Sequence, residues 1–340
     1  GAPLLKPTQL HVAGSQEANT LAEANAGNRV FLESDFKAAN GKLPWLPAWE
    51  PEQGYLRIGD APVNLEALVG YSFDEYRLIV PKDQRITAGD LLRTDENDRQ
   101  GAPARANGTD LRIGSFNVLN YFTSHSSVGG ALNVLCKDQA DADSAKGCNR
   151  GAKNLEDFQL QRTKIVNAIT EMDADLLGLM EMENNGFEDN SALHNLVTRL
   201  NEQQKDASKH YAYVRLPVTA LTDGKFFGGD AIMVAMIYRP ALLTPSGDAS
   251  VIKLPEQRYT TGGVAKTAGQ RDSLVQTFTL AKSKEPLTLV VNHLKSKGSG
   301  CYENGDGKTE PADLQGKCTE FRVSAAKVLG EAVSKLPGQV

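Results

Sequence analysis

Short runs of alternating apolar and polar residues characterise the first part of the chain. Residues 54–58 and 76–80 alternate in this way, and 29–32 form a short apolar run. Such runs are typical of half-buried strands, and the Pro, Gly and Asp residues between them are typical of turns. The pattern up to Thr94 therefore predicts a small all-β domain built from short strands.

A different pattern begins at residue 110, where continuous apolar runs alternate with segments of helical periodicity. Buried strands between helices describe a layered α/β domain, which we place at 110–340. Residues 95–109 have no apolar periodicity, and we interpret them as a linker between this domain and the first one at 1–94. The predicted strands are 111–119, 175–180, 231–238, 274–280 and 287–291, and the predicted helices are 154–172, 191–200 and one beginning near Thr319.

Composition and charge argue against two classes of protein. No apolar run reaches the roughly 18 residues that a membrane-spanning helix needs, so we expect no membrane partner. The net charge of −5 argues against a protein that holds nucleic acid by bulk electrostatic attraction. It is compatible with a nuclease that holds a divalent metal on carboxylates. Residues 1–6 lack the pattern of a secretion signal, so any such signal has been removed or was never included.

Four cysteines, Cys136, Cys148, Cys301 and Cys318, fall into two local pairs. Four cysteines allow three pairings, and the local pairing needs only two surface loops to be closed. A zinc site is the alternative, but neither pair has the short spacing of zinc ligands and no histidine lies close to either. Disulfides predict an oxidising environment, outside the cell, at its surface or in the periplasm.

Three of the predicted buried strands run into a polar residue at or near their ends. The first meets Asn117, the second Glu181 and the last His293, while Arg271 precedes another strand. Rigid strand ends commonly aim functional groups at a site. Each residue also has an ordinary explanation: a turn former for Asn117, a solvated acid for Glu181 and a backbone-bonded histidine for His293. Their combination favours a functional site.

Five segments resemble the strand motifs of the endonuclease/exonuclease/phosphatase superfamily, which has the deoxyribonuclease I-like fold. The resemblance covers about residues 111–329. NHLKSK at 292–297, NRGA at 149–152 and the cysteine pairs are similar to large secreted bacterial nucleases of the ExeM type. GYSFDEYRL at 70–78 is similar to the OB-fold-like module that precedes their nuclease domain. The five segments are LRIGSFNVLN at 111–120, DADLLGLMEMEN at 173–184, GDAI at 229–232, QRDSLV at 270–275 and VVNHLKSKG at 290–298.

This resemblance implies the chemistry of a metal-dependent phosphodiesterase. Glu181 would be a ligand of Mg2+ or Mn2+, which a hard carboxylate oxygen suits, and Asn117 would help to hold the metal or the phosphate. His293 would bond a phosphate oxygen or act in acid–base chemistry, and Asp230 would orient its imidazole. Glu183 would either hold the residues that contact the metal and the substrate in place or be exposed to solvent. The cations that would contact phosphates are Arg271, Lys295 and Lys297.

The end of the sequence departs from the family pattern. Family members carry a G-D-x-N segment and then an aspartate–histidine pair whose histidine activates the water. This chain stops at Val340, where the first of these should begin, and neither His125 nor His194 matches the missing motif. The sequence therefore predicts an incomplete domain that cleaves DNA inefficiently by itself and has its missing C-terminal part as a partner.

We therefore expect a secreted, metal-dependent nuclease that hydrolyses extracellular DNA, with an OB-fold-like module that binds single strands. One alternative is a phospholipid or phosphosugar phosphodiesterase of the same fold, for which Phe226 and Phe227 are the candidate for an exposed membrane hairpin. Another alternative is a non-catalytic nucleic-acid-binding module. The segment 304–307 could also hold Ca2+, although an ordinary turn is the simpler interpretation.

Overall fold

The computed structural model describes residues 4–35, 58–81, 83–84, 90–92, 104–124, 150–152, 154–261, 264–298, 301 and 312–336. The chain divides into two compact units. The first comprises Gly1–Gly101 with Glu310–Gly316, and the second comprises Ala102–Thr309 with Lys317–Val340.

The first unit contains helices as well as strands, so the prediction of an all-β domain is wrong. The longer helix begins after Ser15, whose hydroxyl accepts the Ala18 N–H at 3.1 Å and so caps the helix. Its sequence, QEANTLAEANAGN, has no apolar stripe, and for that reason periodicity did not reveal it. The elements are α1 (Pro7–Leu10), α2 (Gln16–Asn28), β1 (Phe31–Ser34), β2 (Ala61–Pro62), β3 (Leu68–Ser72), β4 (Glu75–Val80) and β5 (Leu91–Leu92).

The strands of the first unit form one three-stranded sheet and one short pair. In the sheet, β1 lies parallel to β4, and β3 forms an antiparallel hairpin with β4. The hairpin turn, Phe73 and Asp74, has two positive φ angles of 52° and 58°, as a type I′ turn requires. The predicted strand at 76–80 is confirmed. Of the predicted strand at 54–58 only Ile58 is described, and it lies in a turn.

The second unit is a mixed α/β structure with several sheets, as predicted. The predicted strands and helices are present with ends within three residues of the prediction, whereas the short strands β8 and β10–β13 were not predicted. The elements are β6 (Ile113–Tyr121), α3 (Leu155–Met172), β7 (Leu176–Glu183), α4 (Ala192–Gln203), β8 (Ala212–Tyr213), β9 (Ile232–Tyr238), β10 (Leu243–Pro245), β11 (Ser250–Ile252), β12 (Gln257–Thr261), β13 (Val264–Ala268), β14 (Ser273–Leu280), β15 (Pro286–Val291) and α5 (Thr319–Val333).

Two sheets pack face to face in this unit. One has the order β6-β7-β9-β8, with β6 parallel to β7, and the other is antiparallel, with β15, β10 and β11 paired to β14. The sheets approach closely at Gly178, where a Cβ would lie 2.8 Å from a methyl group of Val291. Helices α3 and α4 pack on the first sheet. Residues Leu176–Leu179 are all buried, which explains their continuous apolar run.

A closed ion network lies at the start of β7. Asp175, only 1% exposed, accepts hydrogen bonds from Arg105 Nη2 at 2.7 Å, the Arg112 N–H at 2.8 Å and Arg239 Nη1 at 2.9 Å. Arg239 also pairs with Asp173 at 2.7 Å. Both carboxylate oxygens of Asp175 are therefore hydrogen-bonded, as a buried charge requires.

Candidate active site

The sheet topology brings the predicted site residues to one edge of the second unit. Because β6 and β7 are parallel, Asn117 and Glu181 lie towards the same ends of neighbouring strands. Strand β9 is antiparallel to β7, and β14 is antiparallel to β15. Asp230 and Arg271, each two residues before its strand, therefore lie near the ends of β7 and β15, where His293 follows.

The pairing of β7 is interrupted on both sides at Glu181. Residues 180–181 lie opposite the single residue Val234 of β9, and residues 118–120 of β6 lie opposite Glu181 alone. Glu181 has a φ of 65°, and two residues of the β6 bulge also have positive φ angles. Each such residue stores strain of order 1 kcal/mol, and such strain gathers at functional sites.

Glu181 and His293 face each other. The Nε2 atom of His293 lies 3.6 Å from Oε1 of Glu181, and the two side chains are 20% and 18% exposed. The second carboxylate oxygen, Oε2, is buried and has no hydrogen-bond partner among the described residues. An unpaired buried carboxylate oxygen is costly, so this atom is available for a ligand.

Arg271 connects His293 to Asp230. Its Nε donates to Asp230 Oδ2 at 2.9 Å, and its Nη1 lies 3.3 Å from both Nδ1 and the carbonyl oxygen of His293. A guanidinium can only donate, so Nδ1 is the acceptor and the proton of a neutral imidazole sits on Nε2. The prediction that Asp230 orients the imidazole needs correction, because Asp230 acts through Arg271 rather than directly.

Burial and neighbouring positive charge both disfavour protonation of the His293 imidazole. Burial lowers the pKa of His293 most, and the charges of Arg271 and Arg150 lower it further against the opposing effect of Glu181 and Asp230. Burial also lowers the pKa of Lys295, again with a contribution from Arg271. The site therefore offers an Nε2–H donor directed at the Glu181 side.

Glu183 supports the site and is not exposed. Its side chain is fully buried and accepts from the Thr123 N–H at 2.7 Å, the Ser124 N–H at 3.1 Å and the Ser124 hydroxyl. It thereby holds the chain that follows β6 against the end of β7. Of the two alternatives predicted for Glu183, solvent exposure is wrong.

Asn184 holds the segment before β9. Its amide donates to the carbonyl oxygens of Phe227 at 2.9 Å and Asp230 at 2.8 Å, and its Oδ1 accepts the Phe227 N–H at 2.9 Å. The sequence pattern did not indicate a role for Asn184, since an Asn after a strand usually signals a turn. Asn184 is nevertheless completely buried, and this burial depends on the tertiary structure rather than on its neighbours in the E-M-E-N segment.

The remaining predicted residues differ in their placement. Asn117 is exposed, lies opposite Met180 in the register, and uses Oδ1 to accept the Leu119 N–H at 2.8 Å. Lys295 lines a cavity beside His293. Lys297 is exposed and does not line that cavity among the described residues.

Two adjoining cavities open at the Arg271–Asp230 pair. The smaller, of about 290 Å³, has His293 and Lys295 in its wall, and the larger, of about 510 Å³, has Phe227. Both are lined by Arg150, Asp230, Gly269, Gln270 and Arg271. Arg150 was not predicted as a site residue, although it belongs to the NRGA segment.

The cysteine pairing is confirmed for one of the two pairs. Cys301 and Cys318 form a disulfide, and both are buried beside Phe321. The loop is thus closed against a small core rather than at the surface. Several predicted residues lie outside the described part of the chain: Cys136, Cys148, His125 and the segment 304–307.

The residues present fit a divalent cation only in part. Within the described ranges, no three His, Cys, Asp or Glu side chains are grouped as metal ligands. However, Mg2+ is commonly bound through one or two carboxylates, with waters and substrate phosphates completing its shell. The unpaired Oε2 of Glu181 suits such a site.

The membrane-hairpin candidate is not exposed, because Phe226 and Phe227 are both buried. In the described residues, no helix combines the length and the apolar character needed to cross a bilayer.

Comparisons with known proteins add several distant similarities. No family model and no curated protein matches this chain. An endonuclease/exonuclease/phosphatase family protein from Bacteroides thetaiotaomicron is 14% identical over 66% of this chain and 57% of its own, with a TM-score of 0.34. A member from Bacteroides vulgatus is 12% identical over 66% and 60%, with a TM-score of 0.35. The human Nocturnin catalytic domain with bound sulfate is 16% identical over 51% and 50%, with a TM-score of 0.30.

This chain spans between half and three fifths of those three structures. TM-scores in this range do not establish a common fold. Any functional proposal therefore rests on the strands and side chains of this protein.

Proposed function

We propose that the protein is a divalent-metal-dependent phosphodiesterase of the endonuclease/exonuclease/phosphatase superfamily that acts on DNA as a secreted nuclease. The observation that carries the proposal is the buried Oε2 of Glu181, which has no partner among the described residues, beside a His293 that Arg271 contacts. The five sequence segments that resemble the superfamily contain Asn117, Glu181, Asp230, Arg271 and His293, and four of these side chains meet at one edge of the structure.

In the proposed reaction, the bound metal and the side chains of the site would make separate contributions. Glu181 would hold the metal, which when bound would neutralise phosphate charge and help to activate water. The Nε2–H of His293 donates to a phosphate oxygen, because Arg271 occupies Nδ1 and fixes the tautomer. This arrangement favours a hydrogen-bond donor over a general base for His293. Arg271 and Lys295 add positive charge where the transition state gains negative charge.

The proposed DNA substrate and the proposed secretion of the protein are supported by features outside the active site. The Cys301–Cys318 disulfide suits an oxidising environment. The burial of Phe226 and Phe227 removes the sequence feature that favoured a membrane-acting phospholipase. The DNA substrate itself follows from the resemblance to secreted nucleases.

The first test measures cleavage of supercoiled plasmid by the protein at its natural full length, with Mg2+, with Mn2+ and with EDTA. We expect cleavage only with metal. Glu181→Gln should lower kcat by about 100-fold or more, in the range of losing one electrostatic group in an active site. Titration calorimetry with Mg2+ alone should show weakened binding to the same variant.

Glu202→Gln is the matched control, because Glu202 is an exposed acid on α4 that pairs only with Arg199 within the described contacts. It should retain wild-type activity. Cleavage in EDTA, or full activity of Glu181→Gln, would contradict the proposal. Release of phosphocholine from sphingomyelin vesicles without DNA cleavage would favour the phospholipid alternative, and DNA binding without cleavage would favour the binding module.

A further inference from the structure

An exposed leucine lies in a strained stretch of β6 near the proposed metal ligand. Leu119 is 72% exposed, and its φ angle of 52° places it in the left-handed region. Bulky residues rarely adopt this region, because the Cβ atom crowds the backbone there. An exposed side chain also gains little from burial that would offset the strain. The packing of the Leu119 side chain therefore does not explain its conformation.

The position of Leu119 connects it to the proposed site. Residues 118–120 form the bulge of β6 that lies opposite Glu181 in the pairing with β7. Along β6, Ser115, Asn117 and Leu119 are exposed, whereas the residues between them are partly or fully buried. Leu119 thus continues the exposed row that carries Asn117, and the row ends opposite Glu181.

Two neighbouring side chains hold the backbone of this bulge. Asn117 Oδ1 accepts the Leu119 N–H at 2.8 Å, and Nε2 of Gln161, on α3, donates to the Leu119 carbonyl oxygen at 2.7 Å. The same nitrogen lies 3.4 Å from the carbonyl oxygens of Val118 and Asn120. Strained residues persist where their surroundings over-determine them, and they gather at ligand sites. These contacts fix the main chain and leave the isobutyl group in solvent.

The chemistry of Leu119 differs from that of its neighbours in the proposed site. The side chains of Glu181, Arg271 and His293 suit a metal and a phosphate, whereas an isobutyl group has no atom that binds either. Apolar side chains, Leu among them, contact nucleic acids through the faces of bases and sugars. The apolar surface attached to a phosphodiester of DNA is its nucleoside.

We propose that Leu119 contacts the nucleoside attached to the phosphodiester undergoing cleavage, and that it is a specificity-determining residue. A bound nucleotide covers the exposed isobutyl group, and the apolar area removed from water contributes to binding. This inference rests on the proposed function and deepens it, because it assigns the residue that distinguishes a nucleotide from other phosphodiesters.

The experiment compares phosphodiesters that share one leaving group. With Mg2+, methyl p-nitrophenyl phosphate carries no nucleoside, whereas the 3′- and 5′-(p-nitrophenyl phosphate) esters of thymidine carry it on either side. We expect Leu119→Gly to lower kcat/KM about 10-fold for at least one thymidine ester, as the loss of a partly buried isobutyl group predicts. The value for the methyl ester should stay within about twofold of wild type, and Leu119→Met should retain most of the thymidine activity.

Stability distinguishes a substrate contact from a structural role. Glycine adopts a positive φ without strain, so the urea midpoint of Leu119→Gly should be unchanged or higher. Leu119→Asn, which also tolerates this conformation, should lose thymidine ester activity to a similar extent. Lys284→Gly is the matched control, because Lys284 is exposed and has a φ of 65° in the turn before β15. It should hydrolyse all three esters like the wild type.

A binding measurement makes the test independent of catalysis. Fluorescence anisotropy with a labelled 12-nucleotide oligothymidylate in EDTA should show binding by Leu119→Gly that is weaker by about 3- to 10-fold. Its dependence on salt should equal that of the wild type, because an apolar contact releases no counterions. A smaller salt dependence would show that the substitution disturbs phosphate contacts and would overturn the inference.

The kinetic outcomes separate the inference from the proposed function. Equal losses on the methyl and thymidine esters would place Leu119 in the support of the metal site or of the fold, and would overturn the nucleoside contact. Unchanged kcat/KM for all three esters would overturn it as well and leave the proposed function intact. If the wild type hydrolyses no diester with any metal, the proposed function fails, and the role of Leu119 in substrate selection fails with it.

Discussion

Two carboxylates, the buried Asp175 and the partly buried Glu181, lie near opposite ends of the same strand, β7, and their surroundings differ completely. At the start of the strand, Asp175 receives three hydrogen bonds from Arg105, Arg112 and Arg239, so both of its oxygens have partners. At the other end, one oxygen of Glu181 is buried with no partner among the described residues. A carboxylate with partners on both oxygens is typical of a structural charge, whereas a buried oxygen without a described partner is typical of a ligand site.

The backbone pairing also differs between the two ends of β7. Around Asp175 the pairing of β6 with β7 is regular, whereas at Glu181 both pairings of β7 are interrupted and φ is positive. Regular pairing gives stability at one end, and the bulges leave Glu181 with a strained backbone and its carboxylate beside His293. Three experiments can break or sharpen this distinction.

The largest effect is expected at Asp175. Asp175→Asn removes one of the two carboxylates that compensate the buried Arg239, together with the charge that Arg105 and the Arg112 N–H contact. It should lower the free energy of unfolding by about 3–5 kcal/mol. Urea denaturation followed by circular dichroism measures this change. Asp189→Asn, at an exposed aspartate that pairs only with His194 among the described ion pairs, should shift stability by no more than about 0.5 kcal/mol. A loss below about 1 kcal/mol for Asp175→Asn would show that the network is not structural.

A smaller effect distinguishes Glu183 from Glu181. Substitution is expected to lower the free energy of unfolding at Glu183 but not at Glu181. Glu183→Gln replaces one oxygen of a carboxylate that accepts from four described donors by an NH2 group, and it should cost about 1–3 kcal/mol of stability. Glu181→Gln removes charge from an unpaired oxygen and should leave the unfolding free energy unchanged or raise it by up to about 1 kcal/mol. The same urea titrations decide this, and equal destabilisation by both variants would remove the contrast between them.

The smallest effect concerns pH. Partial burial raises the pKa of Asp173, but hydrogen bonds and charges from Arg239 and Lys209 outweigh it and lower this pKa below the ordinary value of 3.8. The carboxylate therefore stabilises the folded state above that value, and its contribution is lost as the pH falls through the lower, folded pKa. Asp173→Asn should flatten the decline in stability between about pH 5 and 3.

Asparagine suits this test because it tolerates the left-handed conformation of Asp173, with φ of 48°. The measurement is the difference in unfolding free energy between the two proteins across that pH range. A difference that does not change with pH would show that the Asp173 pairs contribute nothing to acid stability.

Much of the fold and part of the site could be predicted because their causes are local. The continuous apolar run at Leu176–Leu179 reports burial on both faces, and the Asn154 side chain that accepts the Asp157 N–H begins α3 as predicted. Helix α2 was missed because Ala, Asn and Glu residues without an apolar stripe do not reveal periodicity. Asn184 was missed because only its contacts with Phe227 and Asp230 distinguish it from a turn residue.

The sequence by itself determined which residues end the buried strands, and parallel or antiparallel pairing then sufficed to gather Glu181, Asp230, Arg271 and His293. The tertiary structure alone decided which atoms meet. The bulges turn Glu181 out of regular pairing, Arg271 rather than Asp230 contacts the imidazole, and Arg150 joins a cavity with residues more than 100 positions away. Hydrophobic periodicity is a property of neighbouring residues, whereas hydrogen-bond saturation depends on distant chain segments, and so only the folded structure reveals the unpaired carboxylate oxygen.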